Sequence, residues 1–241
     1  MKMKVKRYFV LIVVLLLVTT ILGGQTKLNH FKVYSAKCKI KQFSVSLQDQ
    51  FSKEQKRAIV RGIPYFANPV NKNGEGIPNP NAHLTWYTIN IDEPLIKRVV
   101  VIENQFGKQK LILGKALYLL VPTEKIEPNS LFPCEFNHFI CYEVLEGDFK
   151  TDVKLKDQFN ESSILFFVGK PRYFCNPVSK NMGKIYDPNY HLVCYDIVSP
   201  AEGLISRTIN IKNQFGDNRL TLQKGTLLCV PSQKIEWSVI K

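Results

Sequence analysis

His191-Leu192-Val193-Cys194-Tyr195 is the last of four related stretches in this chain of 241 residues. The protein has four histidines, and each histidine opens one copy of the stretch. The copies start 53, 55 and 53 residues apart, and such a regular spacing indicates a repeat architecture. The other copies are His30-Phe31-Lys32-Val33-Tyr34, His83-Leu84-Thr85-Trp86-Tyr87 and His138-Phe139-Ile140-Cys141-Tyr142.

Two further elements follow each histidine stretch. The first is a Gln-Phe pair preceded by Asp or Asn, and the second is a proline motif with a lysine three residues after the proline. The Gln-Phe elements are Asp49-Gln50-Phe51, Asn104-Gln105-Phe106, Asp157-Gln158-Phe159 and Asn213-Gln214-Phe215. The four units therefore run 30–72, 83–125, 138–180 and 191–234.

The units also pair into two longer repeats. Residues 30–89 match residues 138–197 at an offset of 108, and residues 104–126 match 213–235 at an offset of 109. Two domains of this size suit the length of the chain, so we expect one over residues 25–128 and one over 129–241.

Alternating apolar and polar residues within the units indicate β-strands. Ile209 and Ile211 alternate with Thr208 and Asn210, for example. We therefore expect an all-β protein with two tandem, pseudo-two-fold β-sandwich or barrel domains, each made of two four-stranded halves. A four-bladed, propeller-like arrangement is the alternative. Asn104-Gln105-Phe106-Gly107 has the composition of a hairpin turn, and we expect the proline motifs to end strands.

The first 24 residues differ from the rest. A basic start is followed by an almost wholly apolar run over residues 8–22, which suits an N-terminal apolar helix. We interpret residues 1–24 as a cleaved signal peptide or a retained membrane anchor. In both cases the remainder is exported to the extracellular space, the cell surface or the periplasm.

The cysteines distinguish the two repeats. The second repeat holds Cys141, Cys175, Cys194 and Cys229, and apolar or aromatic residues replace all four together in the first repeat. Joint replacement predicts two disulfide bonds. Cys141–Cys175 with Cys194–Cys229 is the preferred pairing, and the same internal symmetry allows Cys141–Cys229 with Cys175–Cys194. A further bridge between Cys38 and Cys134 is a candidate.

The net charge of +13 is unevenly distributed. The four basic residues of the first 24 leave +9, of which residues 30–128 carry +7 and residues 129–241 carry +1. Lys37, Lys39 and Lys41 share one face of a predicted strand, where lysine commonly protects an exposed edge. They are also candidates for contact with an anionic membrane surface or an acidic polymer. Nucleic acid is not an expected partner, because no recognition motif is present.

Histidines present once per unit suit a scaffold better than a reaction centre, which needs one constellation of unlike groups. We therefore assign structural roles to these repeated residues and expect no catalytic residue, metal site or cofactor. The repeated set is His30, His83, His138 and His191, with Gln50, Gln105, Gln158 and Gln214.

Four motifs carry a resemblance to a known kind of domain. Phe174-Cys175-Asn176-Pro177-Val178, the His191 stretch, Asn213-Gln214-Phe215-Gly216 and Leu228-Cys229-Val230-Pro231-Ser232 are similar to an uncharacterised domain of exported prokaryotic proteins, often present in tandem. This resemblance implies export and tandem β-domains. It assigns no activity and no catalytic residues.

These observations favour an exported or surface-tethered, non-catalytic structural or binding module whose partner is a surface protein or polymer. A secreted hydrolase acting on polysaccharide is the alternative, and it would require carboxylates that converge in a cleft. A protein-binding or inhibitory module is a third hypothesis, which an exposed apolar patch would favour.

Overall fold

The computed structural model describes residues 28–38, 40–203 and 206–240, and all regular structure in these ranges is β. No helix among them is long and apolar enough to cross a membrane. The expected signal or anchor segment, with its apolar helix, lies outside the described residues. The strands are β1 (His30–Cys38), β2 (Phe43–Asp49), β3 (Lys56–Val60), β4 (Ile63–Lys72), β5 (His83–Ile91), β6 (Arg98–Asn104), β7 (Gly107–Lys125), β8 (His138–Glu146), β9 (Thr151–Lys156), β10 (Ile164–Lys180), β11 (His191–Val198), β12 (Arg207–Asn213) and β13 (Gly216–Val239).

Each unit supplies a first strand, a second strand and a long last strand. The prediction of four short strands per unit is wrong for three units, in which the third and fourth form the single strands β7, β10 and β13. Register shifts there mark bulges that bend the strand without ending it. Only the first unit has a break, at Arg61-Gly62, between β3 and β4.

The first and last strands of all four units alternate around a closed antiparallel barrel. The order is β1-β4-β5-β7-β8-β10-β11-β13, and β13 pairs back with β1. Every strand of this ring therefore has a neighbour on both sides, which removes the open edges that a flat sheet would expose. The all-β prediction is confirmed.

The arrangement of the repeats corrects the expectation of two tandem domains. Pairing of β7 with β8 and of β13 with β1 joins the repeats at two places in one barrel. Each repeat supplies only four of the eight ring strands, and about eight strands are needed to enclose a side-chain-filled interior. The propeller-like alternative is also wrong, because the units do not form separate four-stranded sheets.

The barrel interior is a separate core in which the four units supply equivalent positions. Phe31 and Phe139 belong to a layer from the first strands, and the cysteine positions form the next layer. Beyond it lie Tyr65, Tyr118 and Tyr173, which pack against the same core. We call the end lined by these three residues the tyrosine end, and the end where the first strands begin the cap end.

The outer face of the barrel carries the larger core. Four hairpins cover it with residues such as Val45, Ile102, Leu155 and Ile211. The second strand and the beginning of the last strand form the hairpin in three units, and β2 with β3 forms it in the first. The predicted Asn-Gln-Phe-Gly turns are confirmed as hairpins, since Asn104 pairs with Gly107 and Asn213 with Gly216. Both glycines have positive φ, 92° and 102°, a conformation that costs glycine little.

The proline motifs do not end strands, contrary to expectation. Pro69, Pro122, Pro177 and Pro231 each pair with the first strand of their own unit, and each strand continues beyond the proline. Pairing with the next unit has already stopped at these positions. Each proline therefore lies where its strand has a partner on one side of the ring, the edge-like setting in which a missing N–H is tolerated.

Candidate functional site

Each Gln-Phe turn is held by the Asp or Asn that precedes it. In all four turns the Oδ1 of that residue accepts a hydrogen bond from the backbone N–H of the phenylalanine two residues later, at 2.8–3.0 Å. This local bond fixes the turn and leaves the second side-chain atom directed at the barrel. The four residues are Asp49, Asn104, Asp157 and Asn213.

The second side-chain atom of each turn residue reaches a tyrosine in the unit two places along the chain. Tyr142 donates its hydroxyl to Asp49 Oδ2 at 2.9 Å, and Tyr34 donates to Asp157 Oδ2. Asn104 Nδ2 donates to Tyr195 Oη at 3.0 Å, and Asn213 Nδ2 donates to Tyr87 Oη at 2.9 Å. The four repeated tyrosines therefore connect the first repeat with the second. Burial and the neighbouring carboxylate raise the pKa of Tyr34 and of Tyr142.

The choice of Asp or Asn follows the partner in the proline motif. Where the turn residue is Asp, its carboxylate accepts a hydrogen bond from the asparagine that precedes the proline of another unit. An example is the 2.8 Å bond from Asn176 Nδ2 to Asp49. Where the turn residue is Asn, its Nδ2 instead donates to the hydroxyl of the residue that follows the proline, which is Ser232 or Thr123, at 2.9 and 3.1 Å. A carboxylate only accepts whereas an amide NH₂ only donates, so the two residues must change together.

The four lysines after the proline motifs lie over the phenylalanine of the next turn. Lys234 returns to the first unit, with its Nζ 4.8 Å from the ring centroid of Phe51. Burial lowers the pKa of Lys234 to about 8. Attraction to the ring faces partly compensates the desolvation of the ammonium groups. The four lysine–phenylalanine pairs form a closed cycle around the barrel, because the last unit contacts the first. The other pairs are Lys72–Phe106, Lys125–Phe159 and Lys180–Phe215, at 5.9, 5.5 and 5.4 Å.

The histidines lie at the start of the first strands, one in each unit. Burial, with the nearby Lys125, lowers the pKa of His83 to about 3. Burial, with Lys180 or Lys234, lowers the pKa values of His138 and His191 to about 4. His83 stacks on Phe66 and His191 on Phe174. These three rings are therefore neutral at pH 7 and act as packing groups.

The repeated glutamines make contacts outside their own units. Gln105 contacts His30, and Gln214 contacts His138, through the Nε2 atoms. Gln158 accepts from Lys125, and Gln50 donates to the backbone oxygen of Pro188 at 2.8 Å. In the described ranges no three His, Cys, Asp or Glu side chains gather in a way that could hold a metal ion.

Two disulfide bonds lie in the barrel interior of the second repeat, each between adjacent strands. They are Cys141–Cys175 and Cys194–Cys229, the preferred of the two symmetric pairings. Each links the first and last strand of one unit over 34 or 35 residues of sequence. A chain-entropy estimate gives a stabilisation of about 3–4 kcal/mol for each. Such bonds fit an extracellular or otherwise oxidising environment.

The candidate bridge between Cys38 and Cys134 is not formed. Cys38 lies at the end of β1, where its Sγ is 3.8 Å from Asn218 Oδ1. Cys134 belongs to the loop before β8, and Phe136 of that loop packs on Phe31 near the beginning of β1. Seven residues of extended strand, about 23 Å, separate Cys38 from Phe31.

Exposed cations lie at the strand bends near the tyrosine end, together with the carboxylates of Glu143 and Asp196. Each unit places one at or beside the bend in its last strand, and the four are Arg61, Lys115, Lys170 and Lys224. Lys37 is exposed on β1 and pairs across the ladder with Thr221 of β13, close in sequence to Lys224. Lys41 is exposed as well, and Lys39 lies outside the described residues. The tyrosines form an edge-to-face cluster, with Tyr118 centred 5.8 Å from Tyr65 and 5.2 Å from Tyr173.

Sequence reasoning missed three features of this arrangement. It assigned no hydrogen bonds to the repeated tyrosines, and it did not connect Asp49 or Asn104 with the proline motif of another unit. The signal was present, because Asp accompanies Asn-Pro units and Asn accompanies Val-Pro units with a following hydroxyl residue. The ring of cations at the bends was also not predicted.

Comparison with known proteins gives one result. No curated protein and no solved structure is significantly similar to the chain. A family model described as a repeat of unknown function matches residues 83–231, which cover the second and third units and almost all of the fourth. The matched region contains both disulfides and more than half of the chain. The chain therefore belongs to the family of repeats of unknown function DUF7450.

Proposed function

We propose that this protein is an exported binding module that holds an anionic polymer of the cell surface against its tyrosine end. The observation that carries the proposal is the ring of exposed cations, one from each unit, around three half-buried tyrosines. The repeated polar residues, by contrast, are occupied in contacts between units. They build a rigid support and leave recognition to the exposed end.

The chemistry of the tyrosine end suits a polymer with apolar faces and regularly spaced anions. Tyr65, Tyr118 and Tyr173 offer aromatic surface for packing. The surrounding ammonium and guanidinium groups can pair with phosphate, sulfate or carboxylate groups on the polymer. Arg172 is already paired with Asp196 at 3.1 Å, and the same carboxylate lies near Lys170, so Lys115, Lys224 and Arg61 provide most of the attraction.

The direction of the chain favours a polymer over the lipid surface to which the protein would be tethered. Residues 1–24 have the sequence of a signal peptide or anchor, and the described chain enters the fold at Leu28, at the cap end. Lys37 lies near the other end of β1. An anchored molecule would therefore direct its tyrosine end away from the membrane, contrary to a role for these lysines beside the lipid headgroups.

The test is binding of the full chain to inorganic polyphosphate at two ionic strengths. A Lys115→Ala, Lys170→Ala, Lys224→Ala variant should raise the dissociation constant at least tenfold and reduce its salt dependence. The matched control is Lys108→Ala, Lys110→Ala, Lys154→Ala, which removes the same charge from exposed hairpin positions. Equal weakening by both variants would reduce the effect to net charge. Preference for anionic lipid vesicles over polyphosphate would assign the face to a membrane instead.

A further inference from the structure

A cavity of about 220 Å³ lies at the cap end, between the two repeats. Its walls come in pairs related by the 108-residue offset, so Asn29 faces its counterpart Asn137, and Asn79 its counterpart Asp187. The cavity therefore lies where the two repeats meet around their internal two-fold relation. It is at the opposite end of the barrel from the tyrosine end.

The cavity exists because the two repeats differ at two of these paired positions. Tyr186 and Tyr190 line one side, whereas their counterparts Pro78 and Ala82 line the other. Ala82 and Tyr190 are both buried, so the difference in side-chain size is not taken up by solvent exposure. The small residues of the first repeat leave space in front of the aromatic residues of the second.

The wall of the second repeat is aromatic and firmly held. Tyr190 donates its hydroxyl to the backbone oxygen of Asn29 at 3.1 Å, and its ring centroid is 6.2 Å from that of Phe136. Tyr186 is 44% exposed at the mouth. One face of its ring already holds a cation, with Lys184 Nζ 5.1 Å from the centroid. Aromatic faces of this kind attract ammonium groups.

The charged residues that line the cavity, among those the structure describes, are the acids Glu135 and Asp187. Burial, and then the charge of Asp187, raise the pKa of Tyr190, and both residues line the cavity. Glu135 has a φ of 51°, an uncommon conformation for a residue with a side chain. Carboxylates and aromatic faces together create a negative potential inside the cavity.

The amide side chains of the lining are already occupied. Asn29 exchanges two hydrogen bonds with the backbone of Asn79, at 2.6 and 3.0 Å. Asn137 Oδ1 accepts from the N–H groups of Tyr186 and Asp187, and its Nδ2 donates to the oxygen of Asp187. A neutral sugar would depend on such amides for recognition. An organic cation would use the rings, the Glu135 carboxylate and the Oδ2 atom of Asp187, whose Oδ1 accepts from the N–H of Asn189 at 2.9 Å.

From the cavity, its aromatic wall and its acidic lining, we propose that the cap end binds a small organic ammonium cation with an apolar body. The rings of Tyr186 and Phe136 would contact the methyl or methylene groups around the nitrogen, and Glu135 and Asp187 would neutralise its charge. This second site goes beyond the polymer-binding function and does not depend on it.

The experiment is a titration of the full chain with choline, followed by the chemical shifts of ring protons in the cavity. The neutral isostere 3,3-dimethylbutan-1-ol and glucose are titrated in parallel. We expect choline to bind at least tenfold more tightly than either neutral compound. Tyr186→Ala and Glu135→Gln should each weaken choline binding at least fivefold. Glu161→Gln, a charge-matched change at an exposed loop position, should have no effect.

The repeat relation supplies an independent variant that leaves the proposed binding residues unchanged. Ala82→Phe restores on the first-repeat side the aromatic bulk found at Tyr190, and it should abolish choline binding by filling the cavity. A dispersed amide spectrum would show that the variant has folded, and Ala82→Leu is the smaller replacement if it has not. Equal affinity for choline and its neutral isostere, or tighter binding of glucose, would overturn the proposal.

Discussion

The two repeats build equal halves of one barrel with different interiors. In the second repeat, disulfides join Cys141 to Cys175 and Cys194 to Cys229 across neighbouring strands. In the first, Val33 pairs with Ala67 and Trp86 with Leu120 at the same positions. Trp86 also contacts Tyr65, Tyr118 and Tyr173. Covalent closure and aromatic packing are therefore two solutions for one layer of the barrel.

The comparison also shows what the repeats cannot change independently. Each turn residue has its tyrosine partner in the other repeat, and the ring closes only where β1 meets β13 and β7 meets β8. The layer of cysteine positions could diverge because its strand pairs lie within single units. The turn clusters retain their pattern because both repeats depend on them.

The largest expected effect comes from separating the repeats. Residues 28–128 and 129–240, expressed alone, should each fail to give a cooperative thermal transition, because each half would expose strand edges and lose all four tyrosine contacts. Mixing the two should restore a one-to-one complex, detected by sedimentation and circular dichroism. A monomeric second repeat with a dispersed amide spectrum would contradict the interlocked arrangement.

Removing the buried tryptophan of the first repeat should have the next largest effect. Trp86→Ala should lower the free energy of unfolding by about 3–5 kcal/mol, since it deletes the largest fully buried side chain. Denaturant unfolding monitored by circular dichroism measures the loss. Trp237→Ala is the control, because Trp237 is 40% exposed near the end of β13. Equal losses at the two positions would argue against a special role for the interior layer.

Removing one covalent bridge should cost slightly less. Cys141→Val with Cys175→Ala gives the second repeat the residues that the first already has at these positions, and it should lower stability by about 3 kcal/mol. Reductant should lower the melting temperature of the native protein and have a smaller effect on this variant. When Cys194→Val and Cys229→Ala are added, the remaining sensitivity should disappear. A melting temperature that reductant leaves unchanged in the native protein would disprove the role of the bridges.

Acid should affect the histidines of the two repeats differently. Since burial lowers the pKa of His83 to about 3 and of His191 to about 4, the unfolded state binds their protons first as the pH falls below about 6.5. Each histidine therefore lowers the free energy of unfolding by about 1.4 kcal/mol per pH unit, until the pH reaches the pKa of that histidine in the folded protein. Unfolding measured between pH 7 and pH 3 should become less pH-dependent in His83→Phe. His191→Phe should show the same change over a shorter range, and identical profiles for wild type and His83→Phe would contradict this account.

The smallest expected effect tests the clusters that both repeats share. Asp49→Asn places an amide donor opposite the donor Asn176 Nδ2. It should lower the free energy of unfolding by about 1–3 kcal/mol. Adding Asn176→Asp restores a donor and an acceptor and should recover part of the loss, which a double-mutant cycle measures. Asp217→Asn, at an exposed hairpin position, is the neutral control. Additive losses in the cycle would indicate that the two side chains are not coupled.

Strand formation, the hairpin turns and the presence of two disulfides were accessible from the sequence, because they depend on residues close together or on one repeat compared with the other. Alternation around Ile209 predicted a strand, and Asn104 with Gly107 predicted a turn. The joint replacement of all four cysteines in the first repeat predicted two bridges, and the structure then selected Cys141–Cys175 with Cys194–Cys229 from the two symmetric pairings. The contact of Cys38 with Asn218 was not accessible, because it joins segments 180 residues apart.

The sequence by itself determined the four units, their strands and the chemistry of each position in the barrel wall. Only the tertiary structure decided that β13 closes on β1, that Asp49 meets Tyr142, and that Pro78 and Ala82 face a cavity. The physical reason lies in the repetition itself. Every first strand has the same pattern, so each could pair within its own repeat or with a neighbour. The choice follows from closing an eight-stranded ring around a filled interior, which is a property of the whole chain.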